Sequence, residues 1–172
     1  MLSGNRPSAR TDSGARAGSP ARRPAAPVSL KGRALRLLSG REHSRPELER
    51  RLQAFEEAPG DLAAALDDLQ AKGFISEQRV IESVINRRQA KLGTARIRQE
   101  LQTKGLDRDA VLEAVAGLQA TEIERARALW QRKFGAPATE PKERGKQVRF
   151  LASRGFGGDT IRRVVSGATD DE

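Results

Sequence analysis

Gly93-Thr-Ala-Arg-Ile-Arg-Gln-Glu-Leu-Gln-Thr-Lys-Gly105, continued by Leu106-Asp-Arg-Asp-Ala-Val-Leu-Glu-Ala-Val-Ala-Gly-Leu118, is the stretch that decides the fold. Ile97 and Leu101 stand one helical turn apart. Ala110, Val111, Ala114, Val115 and Leu118 recur three or four positions apart, the period of a helix with one apolar face. Between them, Gly105 follows a late lysine as a helix stop should, and Asp107 is placed to cap the next helix. The stretch therefore predicts two helices joined by a tight turn.

The pattern repeats along the chain. Leu48, Leu52, Leu62, Leu66 and Leu69, moved forward 49 positions, land on Ile97, Leu101, Val111, Val115 and Leu118. A further step of 50 carries Leu101, Gly105, Leu106, Val111 and Val115 onto Leu151, Gly155, Phe156, Ile161 and Val165. About 50 residues suits three short helices with turns. The expected fold is all-α, with three tandem three-helix modules over 29–75, 76–120 and 121–172 in an elongated, curved array. Residues 1–28, rich in Arg, Ala, Ser, Gly and Pro, are expected to be a disordered basic tail.

Local signals place the helix ends. Ser44 to Glu47 and Thr121 to Glu124 read as capping boxes, and Asp159 as a further N-cap. Gly73, Gly105, Gly135 and Gly155 read as stops. Segment 136–145 reads as a linker. Trp130 shares a stripe with Ile123, Ala126 and Phe134 and is assigned to the core.

Composition narrows the function. The chain has no cysteine and one histidine, His43, read as a surface residue beside the Ser44 cap. No nucleophile–base pair, metal-ligand set or phosphate loop is visible, so neither catalytic residues nor a cofactor or metal is expected. No apolar run is long enough to span a bilayer, and no apolar leader is present. The net charge of +9 favours an anionic partner. Residues 1–40 carry +7 of it, whereas 41–76 carry −3. From 87 to 104, Arg87, Arg88, Lys91, Arg96, Arg98 and Lys104 face one acid, Glu100; the bland alternative is a solvated face with helix pairs such as Arg96–Glu100. A second cluster is Lys142, Arg144, Lys146, Arg149 and Arg154. These eleven are the candidate contacts for DNA or a partner. Arg50, Arg51 and Lys72, in the net-acidic first module, are expected to matter much less.

At these residues the sequence resembles a known family. Gly73-Phe-Ile-Ser-Glu-Gln-Arg79, Arg87-Arg88 and Gly93 to Gly105 are similar to the middle module of the RecX family. Ala34-Leu-Arg-Leu-Leu38 with Ser44 to Leu52 resembles the first module, and Phe150-Leu-Ala-Ser-Arg-Gly-Phe156 the third. The first module departs by having Phe55-Glu-Glu-Ala-Pro-Gly60 where the middle one has Lys-Gly-Leu. The resemblance implies a monomeric, cytoplasmic bacterial protein that binds the RecA filament on single-stranded DNA, with a weak direct contact to DNA. It implies inhibition of filament growth, ATPase and strand exchange, and so control of recombination, DNA repair and the SOS response. The rival reading is a single-stranded nucleic-acid binder that acts without RecA.

Overall fold

The computed structural model describes residues 27–167. Among them are nine α-helices and no strand: α1 (Leu30–Gly40), α2 (Arg45–Leu52), α3 (Asp61–Ala71), α4 (Glu77–Arg88), α5 (Thr94–Thr103), α6 (Arg108–Ala120), α7 (Glu122–Phe134), α8 (Pro141–Ser153) and α9 (Gly158–Val165). A 3-10 turn, Gln53–Phe55, extends α2. Of the expected tail, 1–28, residues 1–26 lie outside the described ones. Val28 is described, and its carbonyl accepts a hydrogen bond from Arg33 Nε at 3.1 Å.

The helices form three-helix modules, each with its own apolar cluster. Ala34, Leu48, Leu52, Leu62, Leu66, Leu69 and Ile75 fill the first. The second holds Ile81, Val84, Ile97, Leu101, Val111, Val115 and Leu118. Ala126, Leu129, Trp130, Leu151, Phe156, Ile161, Val164 and Val165 fill the third. The residues related by the 49- and 50-residue steps therefore do equivalent packing. No single cluster is large, so each module depends on its neighbours.

The helix ends show where local rules hold. Ser44 and Glu47 form the expected capping box, and Asp107 caps α6 through the Asp109 and Ala110 N–H groups. Gly73, Gly105, Gly135 and Gly155 all have positive φ. Three expectations are corrected. Thr121 makes no cap with its side chain; its hydroxyl donates to the Leu118 carbonyl at 3.3 Å. Gly157, not Asp159, is the N-cap of α9, and Asp159 pairs with Arg162 one turn on. The linker ends at Glu140, because Pro141 is well suited to the first turn of α8.

Trp130 is 4% exposed, and its Nε1 donates to Gln147 Oε1 at 3.0 Å, so its polar edge is satisfied inside the third cluster. Its emission is expected to be blue-shifted and to move red as that cluster unfolds. An emission maximum typical of an indole in water, in the folded protein, would contradict this packing.

Candidate nucleic-acid interface

The second helix of each module stacks on the next through a recurring joint. At the first joint, Ser44 Oγ at the start of α2 donates to the Lys104 carbonyl at the end of α5, 2.6 Å away. At the second, the Gly93 N–H at the start of α5 donates to the Arg154 carbonyl at the end of α8, at 2.9 Å. A hydroxyl at the first joint and a backbone N–H at the second thus satisfy an orphan carbonyl at the end of the facing helix, with the two helices of each joint meeting head to tail. Close approach requires glycine. A Cβ on Gly105 would lie 2.9 Å from Pro46 Cγ, and one on Gly93 or Gly155 would collide with the facing backbone.

Each joint buries ionised groups with their partners. Glu47 accepts from Lys104 Nζ at 2.9 Å and Arg41 at 3.1 Å. Burial pushes the Glu47 carboxyl up, but the Ser44 N–H, Arg41 and Lys104 outweigh it and hold it at about 2. A carboxyl depressed in the folded state adds stability that is complete above its unfolded pKa and is lost as pH falls towards its folded pKa. Acid titration from about 4.5 to 2 should therefore weaken the first joint. Glu47→Gln should show a smaller loss across that window; an identical loss, followed by melting temperature, would refute the assignment.

His43 is also in this joint. It is 2% exposed, a correction to its reading as a surface residue, and its Nδ1 is without a partner. Burial, with Arg41, Arg51 and Lys104 nearby, lowers its pKa against the opposing pull of Glu47.

Glu122 anchors the second joint. It accepts from the Thr94 N–H at 2.8 Å, the Thr160 hydroxyl at 3.0 Å and the Gly157 N–H at 3.4 Å. Burial raises its pKa, but these donors prevail and keep it below the ordinary carboxylate value. Arg125 completes the joint by donating to the Gln89, Leu92 and Leu118 carbonyls and the Thr94 hydroxyl. Sequence reading missed both residues, because their partners lie in other helices.

The candidate cations divide around this frame. Arg88 and Arg87 converge on Glu100 at 2.9 and 3.6 Å, so Glu100 pairs with α4. Lys104 lies apart from any open surface; its side chain is 11% exposed and held by Glu47. Lys146 pairs with Glu143. The Arg154 guanidinium lies 3.9 Å over the Phe150 ring. The remaining six, Lys91, Arg96, Arg98, Lys142, Arg144 and Arg149, are exposed and have no carboxylate partner among the described residues. The second joint brings the two clusters together, since a Cβ on Gly155 would collide with Arg96 Cγ. Stacked in series, α5 and α8 carry cations along a contour of roughly 35 Å. Arg98 flanks a groove at the second joint, lined also by Thr94, Glu122, Gly155 and Gly157, and Arg96 packs against Gly155 at the same joint.

Among the described residues no group of three or more His, Asp or Glu could hold a metal ion, and no helix is long and apolar enough to cross a membrane.

These features define a tandem three-helix repeat protein with exposed cations along its stacked second helices. Comparison with known proteins gives the family. The family model described as RecX, second three-helix domain, matches residues 76–115, and the third three-helix domain matches 120–165. Regulatory protein RecX of Leptothrix cholodnii is 51% identical over 80% of this chain and 88% of its own. That of Herminiimonas arsenicoxydans is 46% identical over 84% of this chain and 96% of its own. The crystal structure of RecX from Lactobacillus salivarius, 19% identical, superposes with a TM-score of 0.67 over 80% of this chain and 93% of that one. The chain belongs to the RecX family.

Proposed function

We propose that this chain is a non-enzymatic regulator that binds the RecA filament on single-stranded DNA and inhibits filament growth, ATPase and strand exchange. It acts as a monomer in the bacterial cytoplasm and needs no cofactor. The observation that carries this reading, beside family membership, is the set of six exposed cations on α5, α8 and the turn before α5, which have no carboxylate partner among the described residues. An array offers a long surface to a polymeric partner, and cations on it can meet filament-bound phosphates or acidic filament surfaces. The modules 29–75, 76–120 and 121–172 would act as one unit, because each joint is closed by buried ion pairs or caps.

The rival reading, a strand binder that acts without RecA, separates on relative affinity. Co-sedimentation at fixed salt should show the RecA–DNA filament bound at least about tenfold more tightly than the same strand bare, a gap of about 1.4 kcal/mol. Equal affinity for both would favour the rival.

A further inference from the structure

The first module carries a cationic site that its net charge conceals. Arg33 and Arg36 on α1, Arg51 on α2 and Phe55 in the 3-10 turn line a cavity of about 380 Å³ with Leu37 and Leu52. No carboxylate is among these lining residues. Phe55 is 45% exposed. The Arg33 guanidinium stands 3.9 Å from its ring centroid and is steered there by the bond from Nε to the Val28 carbonyl. The nearby Glu56 faces away, accepting from the Gly60 and Leu62 N–H groups that begin α3. Among the described residues no carboxylate pairs with any of the three arginines. Adjacent like charges repel, so an uncompensated trio favours an incoming anion.

We infer that this cavity binds single-stranded nucleic acid, with a backbone phosphate between Arg36 and Arg51 and the neighbouring base stacked on Phe55. Cations beside an exposed aromatic ring are the chemistry of sequence-tolerant strand binding, in which the ring takes the base and the arginines the phosphate. An acidic peptide would neutralise the arginines but would leave the ring without a stacking partner. The site lies outside the α5–α8 cations and adds a direct strand contact that needs no RecA. Sequence reading set Arg51 aside within a net-acidic segment; only the fold brings it to Arg33, Arg36 and Phe55.

The test uses the full chain without RecA and a fluorescein-labelled oligothymidylate of about 12 nucleotides. Anisotropy should show Arg36→Glu with Arg51→Glu binding about tenfold or more weakly, with a salt slope lower by about two. Phe55→Ala should weaken binding by about fivefold or more and abolish the preference for thymidylate over an abasic strand of equal length. Phe55→Trp should bind and be quenched at saturation, with buried Trp130 contributing little to the change. The inference is overturned if Phe55→Ala binds both strands as the unaltered chain does, or if Phe55→Trp is not quenched. It is equally overturned if a glutamate-rich peptide displaces the oligonucleotide at matched charge concentration, which would make the site one for acidic chains. Because RecA is absent, failure here leaves the regulator reading intact, and failure of that reading leaves this result unchanged.

Discussion

Changing Lys91, Arg98 and Arg149 together to glutamate is expected to abolish inhibition of RecA at concentrations where the unaltered chain inhibits fully. All three side chains are exposed and have no carboxylate partner among the described residues. Surface substitutions of this kind usually shift stability by about 0.5 kcal/mol or less, so the helices should survive. Binding responds differently. Each lost phosphate contact weakens association and lowers the salt slope by about one, so the triple change should lower it by about three. The matched control is Arg108, Lys133 and Arg163 to glutamate, which makes the same change in net charge on α6, α7 and α9. Those residues are also exposed, but lie off the stacked second helices. Equal loss in both variants would mean that overall charge, not its placement along α5 and α8, governs binding.

The largest expected effect on stability comes from the second joint. Gly155 has φ of +82° and faces Arg96 across the module boundary. Gly155→Ala combines left-handed strain with overpacking against backbone, for a loss on the order of 2–5 kcal/mol. Gly117→Ala is the natural contrast, since it lies within α6 with nothing near the added methyl. That change should stabilise the chain by about 0.5–1 kcal/mol. Urea unfolding, followed by circular dichroism and Trp130 fluorescence, measures both. Similar small shifts for the two variants would show that the joint tolerates movement and does not hold the modules in register.

The contrast between these glycines shows what the sequence can reveal. The 49- and 50-residue repeats, the stops at Gly105 and Gly155 and the caps at Ser44 and Asp107 depend on spacing within a single helix or turn, and they were legible. The joints were not. His43 is buried beside the first joint, where Ser44 meets the end of α5. Glu122 drew no notice beside the Thr121–Glu124 pattern, because its partners Thr94, Gly157 and Thr160 come from elsewhere in the chain. Lys104 appeared to extend a basic run, but the turn that makes Gly105 a stop also carries it into the first joint against Glu47.

Charge density misled for the same reason. The run 87–104 looked like one patch, but Arg87 and Arg88 are drawn to Glu100 and Lys104 to Glu47, which leaves Lys91, Arg96 and Arg98. The cations of α8 reach the middle module only because α5 and α8 meet end to end. The cavity around Phe55 was hidden because Arg33 and Arg36 were summed with the basic N-terminal residues and Arg51 with a net-negative segment. In each case one-dimensional charge sums mix groups that the fold separates and omit groups that it gathers.

The most direct test of the central claim is RecA's DNA-dependent ATPase rate on single-stranded DNA, measured as this protein is titrated in at constant salt. The rate should fall progressively, and the fall should be relieved by the Lys91, Arg98 and Arg149 reversal but not by the Arg108, Lys133 and Arg163 control. A rate unchanged at concentrations of protein that saturate the filament in co-sedimentation would contradict it.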